Sequence, residues 1–134
     1  MDYKLIYEGW YLNGKRNGYT KEYDDETEKL LIEGEYLSGE KNGNIKECDK
    51  KGQLLFEGKY IKGERNGLGK EYSGFKNELI FEGEYLNNEK WNGRGKEYEG
   101  YDELKYEGEY KNGKWNGIGK DYYENGKLRY NGEF

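Results

Sequence analysis

Histidine, proline, alanine and valine are absent from the 134 residues, and cysteine occurs once. Without histidine there is no imidazole to act as a base, to activate a serine or cysteine, or to ligate a metal. Ser38 and Ser73 fall in turn-like stretches with no activating partner in the pattern. The lone Cys48 cannot close an intrachain disulfide and reads as a packing residue at an aromatic position. An enzyme is therefore not expected, nor a cofactor or a metal centre. Long apolar runs are missing too. No stretch approaches the about 18 residues of a membrane-spanning helix. The opening Met-Asp-Tyr-Lys-Leu-Ile-Tyr-Glu lacks the apolar heart of a signal peptide. A cytoplasmic protein is the expectation. The net charge of -5 leaves no electrostatic footprint for nucleic acid, and no unbalanced Lys/Arg run favours an anionic membrane.

Mean hydropathy is -1.39 and 38% of residues are charged, a balance typical of disordered chains. The aromatic content decides against disorder: 16 Tyr, 4 Phe and 3 Trp. Each such ring removes about 150–250 Å² from water when buried, enough for a thin aromatic core. The lack of Ala removes the best helix former, Tyr, Phe and Ile favour strands, and 22 Gly with many Asn supply turns.

The chain repeats itself. Gly9, Gly34, Gly58, Gly83, Gly108 and Gly132, mostly within aromatic-Glu-Gly-Glu-Tyr, are 25, 24, 25, 25 and 24 residues apart. Asn-Gly pairs ending at Gly18, Gly43, Gly67, Gly93 and Gly117 keep step with them. A fixed period in the twenties means one supersecondary unit stacked on its copies. In the third copy Leu54, Phe56, Gly58 and Tyr60 alternate with Glu57 and Lys59, the period of a half-buried strand. Lys62-Gly63 follows, and Leu68 to Tyr72 forms the return strand. Asn13-Gly14, Ser38-Gly39 and Asn112-Gly113 are the equivalent turns, suited to the positive φ of a type I′ hairpin. The second Asn-Gly predicts a bulge. In-strand glycines such as Gly34, Gly58, Gly83 and Gly69 are expected where a ring from a neighbouring strand lies over the backbone. Short polar links, among them 24–28, 49–52, 73–77, 99–102 and 123–126, return the chain to the next hairpin.

The expected fold is all-β: one elongated, single-layer antiparallel sheet of consecutive hairpins, about 11 strands spanning roughly 50 Å. The single domain covers residues 1–134, with hairpins at about 5–29, 30–53, 54–78, 79–103 and 104–127 and a closing strand at 128–134.

The run Tyr106-Glu107-Gly108-Glu109-Tyr110-Lys111-Asn112-Gly113-Lys114-Trp115-Asn116-Gly117-Ile118-Gly119 resembles a MORN repeat. The period and the lead-in Gly126-Lys127-Leu128-Arg129-Tyr130 are similar to the longer variants of that family. The resemblance implies a twisted scaffold without catalytic residues, a platform for protein partners, sometimes dimeric, proposed in some members to bind phospholipid and in some bacterial variants labelled an antitoxin or immunity protein. Departures from the pattern are Cys48 in the column of Tyr23, Tyr72, Tyr98 and Tyr122, an extra residue assigned to the turn Asn87-Asn88-Glu89, and Thr20 and Ile45 in place of the last glycine. The last two predict less regular first and second copies.

Candidate contact residues are those that break the pattern. Trp10 takes a slot that holds Glu35, Lys59, Glu84 and Glu109 elsewhere. Trp91 and Trp115 take the slot of Arg16, Lys41 and Arg65 and are expected to line up across the sheet. A single layer is expected to leave Tyr7, Tyr11, Tyr36, Tyr60, Tyr85 and Tyr110 along an open aromatic groove, where a helix, peptide or protein would lie. The columns Glu8, Glu33, Glu57, Glu82, Glu107 and Glu22, Glu47, Glu71, Glu97, Asp121 are read as solvated, salt-bridged surface. Self-association through exposed edge strands is the structural alternative.

Overall fold

A computed structural model describes residues 4–74, 76–100 and 102–134; Phe75 and Tyr101, placed above in two of the links, lie outside them. The fold is all-β. Strands β1 (Tyr7–Glu8), β4 (Gly18–Tyr23), β5 (Leu30–Leu37), β6 (Glu40–Cys48), β7 (Leu54–Ile61), β8 (Glu64–Tyr72), β9 (Leu79–Leu86), β10 (Glu89–Glu99), β11 (Glu103–Lys111), β12 (Lys114–Tyr122) and β13 (Leu128–Glu133) form one open 11-stranded sheet. Apart from the step from β1 to β4, the order is that of the chain, and every pairing is antiparallel. The first copy is broken as its sequence predicts: β2 (Tyr11–Leu12) and β3 (Lys15–Arg16) make a separate two-stranded ribbon. The second copy is regular despite Ile45, with strands of eight and nine residues.

The hairpin turns are type I′ throughout. Asn13/Gly14, Ser38/Gly39, Lys62/Gly63, Asn87/Asn88 and Asn112/Gly113 all have φ between 48° and 85°. The second Asn-Gly forms the expected bulge. Between the pairs Tyr60↔Arg65 and Gly58↔Gly69, Lys59 alone faces residues 66–68, and Gly67 has φ 109°. That bulge receives the next copy's turn. Gly39, Gly63 and Gly113 donate their N–H to the carbonyls of Arg16, Lys41 and Trp91 at 2.8–3.0 Å. Ser38, Lys62 and Asn112 donate theirs to the side-chain oxygens of Asn17, Asn42 and Asn92 at 3.1 Å. Asn17, Asn42 and Asn92 thus serve their own strands and dock the following hairpin.

The fourth copy differs from expectation. Its turn is the same two residues long, and the extra residue is Trp91, bulged out between Tyr85↔Lys90 and Glu84↔Asn92. Gly83 therefore pairs with Gly93, two residues short of the Gly95 that corresponds to Gly69 and Gly119.

The core is a row of rings on one face: Tyr36, Phe56, Tyr60, Phe81, Tyr85, Tyr106 and Tyr110, with Ile45. Neighbours meet edge to face at 5.2–5.7 Å, as in Phe56–Tyr85 and Phe81–Tyr110, the arrangement ring quadrupoles favour. Glycine is required where the backbones meet beneath them. A Cβ on Gly58 would lie 2.6 Å from Gly69 Cα and 2.8 Å from Phe56 Cζ. For Gly58 the covering ring comes from its own strand, not from a neighbour as expected; for Gly69 the same Phe56 reaches across. Cys48 lies outside this core, half-buried at the end of β6 opposite Leu54, where burial pushes its thiol up.

Candidate interaction surface

The open tyrosine groove is closed. Tyr36, Tyr60, Tyr85 and Tyr110 are 7%, 6%, 3% and 5% exposed. A column of cations opposite the tyrosines covers them. Arg65 pairs with Tyr60 across the hairpin. Its guanidinium lies 3.8 Å from the Phe56 ring centroid and 5.6 Å from that of Tyr85. Arg16 sits over Tyr7 and Tyr36, Lys41 over Tyr60 and Lys90 over Phe81, all within 5.7 Å. Cations over ring faces gain from the quadrupole while their stems exclude water.

The second acidic column completes this roof, and its placement corrects the solvated reading. Phe56 is paired with Glu47 on one side and Glu71 on the other, so both carboxylates lie on the aromatic face. Arg16, Lys41 and Arg65 form salt bridges with Glu22, Glu47 and Glu71 at 3.0–3.8 Å. The buried hydroxyls of Tyr60, Tyr85 and Tyr110 donate to Glu47, Glu71 and Glu97. Burial first, then the bond to Glu47, pushes Tyr60 up to about 12. Tyr85 is raised by burial and the Glu71 charge, and Tyr110 by burial and its bond to Glu97. The first acidic column does face outward. Glu57 stands between Lys46 and Lys70 across strands, an alternation that favours sheet pairing.

The three tryptophans part company. Trp115 joins the core: it stacks on Tyr106 at 4.3 Å and 4° between planes, meets Phe134, and donates its indole N–H to Glu97 at 3.1 Å. It occupies the cation slot, facing Tyr110 as Arg65 faces Tyr60. Trp91 is the bulged residue, half-buried beside the Asn112-Gly113 turn, where a Cβ on Gly113 would come within 3.3 Å of its ring. The two do not line up, because Lys90, not Trp91, is the structural counterpart of Trp115. Trp10 is 72% exposed and lies over Gly18. Tyr11 is 60% exposed, and Leu5, Ile6 and Leu12 are exposed beside it in the chain. Tyr7 is half-buried, and its hydroxyl has no hydrogen-bond partner among the described residues. A depression of about 230 Å³ is lined by Glu8, Gly9, Trp10, Tyr19 and Lys21. Of the expected contact residues, Trp10 and Tyr11 alone are more exposed than covered.

Asp24, in the acidic first link, uses its carboxylate to cap that link. It accepts the amides of Thr27 at 2.8 Å and Glu26 at 3.0 Å, and these bonds lower its pKa. Among the described residues no helix is long and apolar enough to cross a membrane. No known protein family and no curated protein matches the chain.

Proposed function

We propose that this chain is a non-catalytic interaction scaffold of the MORN type, whose sheet is a rigid support and whose partner, a protein or peptide, docks on the first hairpin. The observation that carries this is the exposure of Trp10 and Tyr11 in a chain that buries the later tyrosines of that column, Tyr36, Tyr60, Tyr85 and Tyr110. Indole and phenol rings presented on a short ribbon give large contact area with few rotors to freeze, the composition of interface hot spots. The depression under Trp10, flanked by Glu8 and Lys21, offers both charges at its rim. The cytoplasm, rich in reduced thiol, suits a protein with one unpaired cysteine.

The test is capture from lysate by the immobilised chain, with the Trp10→Ala/Tyr11→Ala double variant alongside. The variant should lose the captured partner while its circular dichroism stays that of the parent, since β5 to β13 are untouched. Undiminished capture would discard the first hairpin as the site.

A second reading, self-association, is favoured by β13, which has a neighbour on one side alone in the sheet order and exposes Leu128 and Tyr130. Light scattering over a concentration series separates the two: a monomer throughout rules out assembly as the role.

A further inference from the structure

We propose that Asn13 is a site of spontaneous covalent modification, deamidation to aspartate and isoaspartate, and that contacts between copies hold its repeat-equivalent Asn112 against the same change. The reaction needs an asparagine followed by a residue whose amide nitrogen can reach the side-chain carbonyl, and glycine leaves that approach unobstructed. The Gly14 nitrogen gives its proton to hydroxide and bonds to Asn13 Cγ. The bond from Cγ to the side-chain nitrogen breaks, and ammonia leaves after taking a proton from solvent. Water then opens the cyclic imide at either carbonyl. One opening returns aspartate; the other routes the main chain through the side-chain carbon.

Nine Asn-Gly pairs occur in the chain, and the structure treats them unequally. Asn66, Asn116 and Asn131 lie inside β8, β12 and β13. The side chains of Asn17, Asn42 and Asn92 accept the turn amides of the next copy. Gly126 donates its nitrogen to Tyr123 O at 2.9 Å, and Asn125 accepts from Lys127. Asn13 and Asn112 form the matched pair: both are exposed, each opens a type I′ turn, and their φ angles are both 52°. Gly113, however, donates its N–H to Trp91 O at 3.0 Å, and Asn112 donates its own to Asn92 Oδ1 at 3.1 Å. Among the described residues the Asn13-Gly14 turn has neither contact, and nothing lies within 4 Å of a Cβ placed on Gly14. The turn joins strands of two residues each. Cyclisation requires the turn to leave its left-handed geometry, so its rate follows the ease of local opening. That ease is greatest at the ribbon and least where two bonds to the previous copy must also break.

The experiment holds the intact chain in mildly alkaline buffer at physiological temperature. Peptide mapping by mass spectrometry, with isoaspartate resolved by chromatography, follows residues 13 and 112 over time. Residue 13 should convert about thirtyfold faster, the effect of two broken hydrogen bonds of ordinary net strength. In urea the two rates should converge. Asn92→Ala removes the acceptor of the Asn112 amide and should speed residue 112 while leaving residue 13 unchanged. Equal rates in the folded chain, or faster conversion at residue 112, overturn the proposal. A preference for residue 13 that persists undiminished in urea overturns its structural basis, as does an Asn92→Ala variant with residue 112 no faster.

Discussion

Tyr85 donates its hydroxyl to Glu71 Oε1 at 2.8 Å, and the same oxygen receives Arg65 Nη1 at 3.0 Å. Lys90 approaches the other carboxylate oxygen at 3.9 Å. One carboxylate thus serves a phenol from β9, a guanidinium from its own strand and an ammonium from β10. Single-layer sheets have no second sheet to bury their rings. Here polar groups with long apolar stems do it, and their heads must be paired to stay there.

Replacing Glu71 therefore tests the roof directly. Glu71→Ala leaves Arg65 and the buried Tyr85 hydroxyl short of an acceptor and should cost about 2 kcal/mol, the range for a hydrogen bond to a charged group. Glu71→Gln keeps an acceptor without the charge and should cost about half as much. Urea denaturation of the three proteins measures both. Equal stability of Glu71→Ala and the parent would mean that the rings need no such cover.

Alkali should open the sheet through its tyrosines. The folded-state pKa of Tyr60 is raised from 10.0 to about 12, chiefly by burial, and Tyr85 and Tyr110 are raised as well. Between pH 10.0 and about 12 the unfolded chain gives up protons that the folded chain keeps. Stability is then complete below that window and falls as pH rises through it. Ultraviolet titration should show a late class of tyrosines whose ionisation coincides with loss of the strand signal in circular dichroism. Smooth ionisation of every tyrosine with the strand signal intact would contradict the burial.

The glycine rows carry a sharper constraint than their abundance suggests. At Gly58 an added methyl meets the Cα of Gly69 at 2.6 Å and the Leu68 carbonyl oxygen at 2.8 Å, and backbone cannot yield as a side-chain tip can. Gly58→Ala should cost about 2–3 kcal/mol and lower the melting temperature accordingly. Gly126→Ala, at a position with nothing within 4 Å but a φ of 82°, should cost no more than about 1–2 kcal/mol of backbone strain. A Gly58→Ala protein as stable as Gly126→Ala would refute close approach as the reason for the row.

The period, the hairpins and the turn type were legible in the residues because Asn-Gly and in-strand glycine each answer a local requirement of the backbone. The face of the second acidic column was not. Alternation assigns faces within an unbroken strand, but residues 42–44 and 66–68 bulge out of the return strands ahead of Glu47 and Glu71, and the next irregularity puts its extra residue, Leu55 or Ile80, on the following strand. Glu71 and Tyr72 are consecutive in β8, so taking Tyr72 and its equivalents for a core column puts Glu71 on the wrong face. The expectation of an open groove follows from the same placement: with Glu71 on the solvent face, nothing remains to cover Tyr85. Trp10 stands out in sequence because it takes a slot that is charged in the later copies, and it is exposed in the structure.

Trp91 offers the most specific test of how register is set. Alignment on the Asn-Gly pairs equates it with Arg65 and Trp115, yet the strand pairing equates Lys90 with them. The bulge at Trp91 absorbs the additional residue and leaves Gly83 opposite Gly93. Deleting Trp91 would make residues 90 and 92–95 match residues 65–69 in spacing. The shortened hairpin should then adopt the common register, with Gly83 opposite Gly95 and a three-residue bulge between. A two-residue slip keeps every side chain on its own face, so the core rings remain on the buried face and the variant should fold. Cross-strand Hα contacts by nuclear magnetic resonance distinguish the outcomes: Gly83 to Gly95 in the variant, Gly83 to Gly93 in the parent. A variant that retains the Gly83–Gly93 pairing would show that the turn Asn87-Asn88, and not residue count, fixes the fourth hairpin.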